Sequence, residues 1–327
     1  LVMIIHYSSE RRITMRRSMI KSQTKTILMA GLILAMSFTA LAGQVKDAKK
    51  AAQKEQPVFT DYAAALISKP PAKLMLDPFY EKYSNAMGIP VIASGQVSDL
   101  AVLIARDIII HMLSERPDLR AQLVLQGQRV GIIGKDQQMS DIPEYKNLKK
   151  PQLGDRRLTP SEIAGYEKIS KMSDAEYWNG RARGLGGLYT TCGEENLLGI
   201  PGTRYFGEQI LVHEFGHAIH RAIRRADPQL AADIEKAYAD AMALGLFKGQ
   251  YASTNSDEYW AEGTQFWFWS NFEYKDGEKV VYSPAELRSY DPALYELLSR
   301  VYPNSHHLPL DPFWNFKARL GASTAKP

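Results

Sequence analysis

Residues 211–220, LVHEFGHAIH, constrain this chain more than any other stretch. Apolar residues Phe206, Ile210, Leu211, Phe215, Ala218, Ile219 and Ala222 recur every three to four positions, which predicts a helix of about five turns after Thr203. On such a helix His213 and His217, four residues apart, lie nearly above one another, so both imidazoles can reach one metal ion. Glu214 follows His213 and projects beside the ion rather than onto it. Zinc suits this H-E-x-x-H pattern, because it takes imidazole nitrogens at about 2.0–2.1 Å and favours four ligands. A carboxylate beside it is placed to take a proton from a water that the metal activates. The plain alternative is a surface helix with unrelated histidines. Deciding between them requires a third ligand, a transition-state donor and a fitting compartment. His220 does not supply the ligand. The longer pattern H-E-x-x-H-x-x-G-x-x-H would place a third histidine at position 223, which is Ile223. His220 therefore reads as a packing residue or a support for a ligand.

The compartment is legible at the start of the chain. Residues 1–42 carry six basic residues (Arg11, Arg12, Arg16, Arg17, Lys21 and Lys25) and one acid, Glu10. An apolar run follows Lys25, too short for a comfortable membrane span, which takes about 20 residues. It closes on Ala40-Leu41-Ala42, an A-x-A cleavage pattern. Residues 1–42 thus read as an over-extended N-terminus, with the natural start at Met15 or Met19, plus a cleaved signal peptide. Residues 43–57, polar and rich in Lys and Ala, read as a linker. Residues 58–327 form one domain. The expected product is exported, periplasmic or extracellular, with no stable membrane anchor after cleavage. Of 40 basic and 36 acidic residues, 34 and 35 remain beyond position 42, a net of −1. A neutral body gives no electrostatic case for nucleic acid. The one cysteine, Cys192, cannot make an intramolecular disulfide and reads as a buried thiol.

Other elements follow from pattern. A helix begins at the Ser98-Asp99 cap and stops near Pro117. Residues 128–134, QRVGIIG, predict a strand, residues 140–161 a long loop, and Leu-Tyr-Thr-Thr at 188–191 a second strand. After the histidines a helix starts with Asp227 and Pro228 and ends near Gly245. Residues 256–272 form a helix with an aromatic face, and residues 283–303 one or two short helices. Strands before the motif and helices after it make an α+β chain.

The third ligand is sought among few residues. His111 lies in the helix before Pro117, and His306 and His307 lie in a C-terminal turn. A carboxylate is the better candidate. Glu258 and Glu262 are four apart on one helical face, where like charges repel unless a cation or donors compensate. A metal at Glu258 with Glu262 buttressing a histidine would compensate them.

Residues 251–262, YASTNSDEYWAE, together with HEFGHAIH, resemble the zinc-peptidase domain of anthrax lethal factor and its relatives, which include secreted clostridial proline-specific endopeptidases. The resemblance covers about residues 205–222 and 251–266. It implies a zincin-like fold, in which a small twisted sheet with helices and a mostly helical C-terminal lobe flank the H-E-x-x-H helix. It implies one zinc per chain on His213, His217 and Glu258, with Glu214 as general base. A tyrosine seven residues before the ligating glutamate would stabilise the oxyanion, and here that residue is Tyr251. Glu262 and Asn255 would orient the ligands. The substrate would be a peptide or protein, paired in extended form with an edge strand, for which Gly187, Leu188, Tyr189 and Thr190 are the candidates. Two other readings compete. A non-enzymatic zinc module would show a closed fourth position, for instance Cys192 on the metal. A zinc hydrolase of cell-wall or glycan-linked material would show exposed tryptophans beside the cleft, drawn from Trp260, Trp267, Trp269 and Trp314.

Overall fold

The computed structural model describes residues 64–314, residue 156 excepted. The signal and linker segments, 1–42 and 43–57, lie outside the described residues, as does the start of the domain placed at 58. No helix among the described residues is long and apolar enough to cross a membrane.

Strands β1 (Lys82–Ala86) and β2 (Ile89–Ala93) form an antiparallel hairpin. Its turn residues Met87 and Gly88 both have positive φ, 53° and 102°, the backbone of a tight two-residue hairpin turn. Helix α1 (Asp99–Met112) follows, with the Ser98 side chain accepting from the Leu100 N–H as its cap. Helix α2 (Pro117–Leu125) leads into β3 (Arg129–Ile133), which runs parallel to β2. A long excursion carries α3 (Pro160–Ala164), α4 (Tyr166–Lys171) and α5 (Asp174–Arg181) before β4 (Tyr189–Gly193), parallel to β3. The strand order is β1-β2-β3-β4, so β4 stands at one edge. Both faces are covered, which is why β2 is buried at every residue. Val130 and Ile132 point into one core with Val91, Ala93 and Cys192. Ile133 points into another with Met139, Ile142 and Trp178.

Helices dominate after β4: α6 (Glu194–Leu197), α7 (Ile210–Ala226), α8 (Pro228–Ala243), α9 (Ser256–Trp267), α10 (Pro284–Tyr290) and α11 (Pro292–Ser299). The α+β expectation matches, with one correction. Strands are not confined to the region before the motif, since β5 (Tyr274–Asp276) and β6 (Lys279–Val281) pair as a hairpin after it. Two helix boundaries also move. Gly207 has φ 115°, so α7 starts at Ile210 and Phe206 lies outside it. Trp269 has φ 54°, and the Ser270 N–H reaches back to the Gln265 carbonyl, which closes α9 at Trp267 rather than 272.

The buried start of α7 has no capping side chain of its own. Asn196 supplies the missing partners: its Oδ1 accepts from the Ile210 N–H at 2.8 Å, and its Nδ2 donates to the Tyr205 and Glu208 carbonyls. Helix α7 packs against β4, α2, α8 and α9. At the α7–α9 crossing Gly216 faces Ala261 and Thr264. Small residues there let the two helices that carry the predicted site approach closely.

Candidate metal centre and catalytic site

His213 and His217 extend from α7 toward Glu258 on the first turn of α9. His213 Nε2 lies 3.1 Å from Glu258 Oε2, His217 Nε2 lies 3.3 Å from the same oxygen, and the two Nε2 atoms are 3.2 Å apart. These three residues form a group able to hold a metal ion, and no cysteine belongs to it among the described residues. The spacing can be tested against zinc. Donors at about 2.0–2.1 Å on two corners of a tetrahedron stand about 3.3 Å apart, close to all three separations. The donor chemistry agrees, since two imidazole nitrogens and a carboxylate oxygen, all donors that zinc accepts, converge.

The surroundings fix the histidine tautomer. His213 Nδ1 lies 3.0 Å from Gln265 Oε1 and 3.4 Å from Glu262 Oε1. Acceptors on that side favour a proton on Nδ1, the tautomer that would turn the Nε2 lone pair toward a metal ion. Glu262 is itself held by Asn271 Nδ2 at 2.9 Å and by Gln250. Gln265 escaped the sequence reading. It lies seven residues beyond Glu258, two turns along the face that carries Glu262, and that periodicity could have found it. Asn255 acts on the backbone: its Oδ1 accepts from the Glu258 N–H at 2.9 Å and caps α9.

Burial would raise Glu258, but hydrogen bonds with His213 and His217 override it and hold the carboxyl below its usual range. Burial would lower His213, yet Glu258 and Glu262 together push it well up. Glu214 moves the other way. Burial raises its carboxyl above the ordinary range, while the charges of His213 and His217 and the Gly186 N–H oppose that rise. Tyr251 opens a short 3-10 turn before α9, its ring stacked on that of His213 at 6.1 Å between centroids. Its side chain is 40% exposed. Burial, then the charge of Glu258, pushes its phenol up, so the hydroxyl stays a donor.

Across from α7 runs the stretch from Arg183 to Gly193. Arg183 forks onto Glu195, with Nε and Nη2 each 2.7 Å from a carboxylate oxygen, and anchors the stretch. A Cβ on Gly186 would stand 3.2 Å from Glu214 Oε2 and from the His217 ring, so this backbone borders the cluster. The candidate substrate strand, Gly187 to Thr190, is differently placed. The Gly187 carbonyl accepts from Arg221 and Thr190, that of Leu188 from the Arg129 N–H, and that of Tyr189 from the Tyr145 hydroxyl. Thr190 is buried and pairs with Val130. Side chains and β3 together thus occupy those carbonyls, and the outer edge of β4 is bridged by Leu185 against Thr191. The backbone nearest the cluster is Gly184 to Gly186 instead.

His220 is fully buried, with Nδ1 3.0 Å from Asp257 Oδ1. His111 Nε2 lies 3.0 Å from the Ser305 carbonyl, while His306 and His307 stack on Trp267 and Trp314. Cys192 is buried in β4. Trp260 and Trp267 are fully buried, and Trp269 packs edge-on against Trp314. They form no exposed row.

No protein-family model matches the chain, and no curated protein matches it. Among solved structures it is similar to the PRO-PRO endopeptidase of Paenibacillus alvei, at 14% identity and a TM-score of 0.41, over 65% of this chain and 97% of that one.

Proposed function

We propose that the chain is an exported zinc-dependent endopeptidase with a zincin-like fold. The observation that carries this is the convergence of three donor atoms, 3.1 to 3.3 Å apart, with the Glu214 carboxylate beside His217. His213, His217 and Glu258 would hold the metal. Zinc, when bound, polarises a carbonyl and acidifies water. Glu214 takes a proton from the attacking water and passes it to the leaving amine. Tyr251 donates a hydrogen bond to the carbonyl oxygen, an interaction that strengthens as negative charge develops. Glu262 and Gln265 hold His213, and Asn255 holds the start of α9. An extended peptide would lie along the stretch from Arg183 to Gly193, which borders Glu214 and His217 at Gly186. Export rests on the basic and apolar pattern of the first 42 residues.

The competing readings lose their distinguishing features. The donor group contains no cysteine that would close a structural site, and the tryptophans line no exposed row. Cleavage of a degenerate peptide library by the zinc-loaded chain tests the proposal, with Glu214→Gln as control. The wild type should cleave, and the variant should keep zinc while losing about 10²- to 10⁴-fold in kcat. Equal turnover in the two proteins would remove Glu214 from the mechanism.

A further inference from the structure

Arg221 lies four residues beyond His217 on α7, on the same face and one turn farther along. Both N–H groups of its Nη2 go to neutral oxygens, Gln128 Oε1 at 2.7 Å and the Gly187 carbonyl at 2.8 Å. Its buried Nε N–H has no acceptor among the described residues. Other well-covered arginines differ: Arg116 meets Asp118, Arg181 meets Glu162, and Arg183 meets Glu195. Among the described residues no carboxylate comes within ion-pair distance of Arg221. Asp257, which favours its charge from farther off, is already engaged by His220 and Arg224. Burial and the neighbouring Arg225 both work against that charge. The molecule therefore keeps an uncompensated guanidinium one helical turn beyond His217. There it touches the residue next to Gly186, whose backbone borders His217.

A guanidinium donates charge-assisted hydrogen bonds to a carboxylate, and with both Nη2 hydrogens taken and Nε buried, Nη1 is the group left to donate. We infer that Arg221 is a specificity-determining residue that binds a carboxylate of the substrate. Four helical residues advance about 6 Å and an extended peptide about 3.3 Å per residue, so that carboxylate lies about two residues from the bond cleaved. It is either the α-carboxylate of a short C-terminal product or an Asp or Glu side chain. The inference rests on the peptidase reading.

The test uses the zinc-loaded full chain and peptides matched in pairs. One series scans Glu against Gln along each side of the cleaved bond. The other compares a C-terminal acid with its amide. The wild type should prefer the carboxylate at one position by at least about tenfold in kcat/KM. The series that shows the preference identifies the source. Arg221→Gln should abolish the preference, read as the ratio of kcat/KM within each pair, while keeping zinc content, and Arg221→Lys should restore part of it. Equal use of both members of every pair by the wild type, or an unchanged preference in Arg221→Gln, would overturn the inference. If no peptide is cleaved, the peptidase reading fails, and binding of the same pairs to the zinc-loaded chain still decides the role of Arg221. Tighter binding of the carboxylate member that is lost in Arg221→Gln supports it, and equal binding overturns it. If Arg221→Gln does not fold, the wild-type pairs and Arg221→Lys carry the test.

Discussion

The two walls of the cleft are built on different principles. The helical wall is α7 against α9, with the candidate ligands, the candidate base and their supports set by position along a helix, His213, Glu214 and His217 on one and Glu258, Glu262 and Gln265 on the other, and with Tyr251 on the 3-10 turn before α9. The strand wall, Arg183 to Gly193, is set by pairing with distant segments: Arg183 by Glu195, Leu188 by Arg129, Thr190 by Val130 and Thr191 by Leu185. Local geometry fixes chemistry on one wall, and non-local pairing fixes shape on the other. Substitutions on the helical wall should therefore change the reaction and leave the fold, while substitutions on the strand wall should strain the fold first.

Tyr251→Phe gives the largest contrast after the loss of Glu214. It removes the hydroxyl proposed to meet developing charge, so kcat should fall by about 10²- to 10³-fold with zinc content unchanged. Turnover equal to wild type would take Tyr251 out of the reaction. Gly184→Ala probes the strand wall. The added Cβ would stand 2.7 Å from the Thr191 carbonyl oxygen and 2.8 Å from Ile210 Cγ2, neither a flexible side-chain end. Overpacking of this kind costs about 1–3 kcal/mol, read as a lower Tm. An unchanged Tm would show that the strand wall yields more easily than its pairing implies.

How far each wall was legible follows from the same difference. Helix α7 and the two-turn face of α9 repeat every three to four residues, so spacing carries the proximity of His213 to His217 and of Glu258 to Glu262, while the meeting of Glu258 with the histidines was implied only by the resemblance. Asp227 with Pro228, and Ser98 with Asp99, marked helix starts because caps act locally. The strand wall carried no such signal. Leu-Tyr-Thr-Thr marked a strand, but nothing in it showed that β3 would occupy its carbonyls or that Leu185 would cover its edge. The β1–β2 hairpin was hidden for a related reason. Its turn is Met87-Gly88, and a methionine at positive φ is not the Asn-Gly or Asp-Gly pair by which such turns are read.

The smallest expected effect lies on the approach to the strand wall, where Arg181 at the end of α5 pairs with Glu162. Burial alone would raise Glu162, but Arg181 and the Thr159 N–H hold it down to about 2 from its ordinary 4.5. A depressed carboxyl stabilises the fold above its unfolded value, and this stabilisation is lost as pH falls through the folded value. The Tm advantage of wild type over Glu162→Gln should thus be constant above about pH 5 and shrink toward about pH 2. An advantage independent of pH across that window would assign the pair no role in acid stability.

The central claim is that His213, His217 and Glu258 hold one zinc ion. Metal content of the purified chain tests it most directly, measured beside His217→Ala, Glu258→Gln and Glu214→Gln. The account predicts one zinc per chain in the wild type and in Glu214→Gln, and its loss in the other two. Zinc retained in His217→Ala and Glu258→Gln, or no zinc in the wild type, would contradict it.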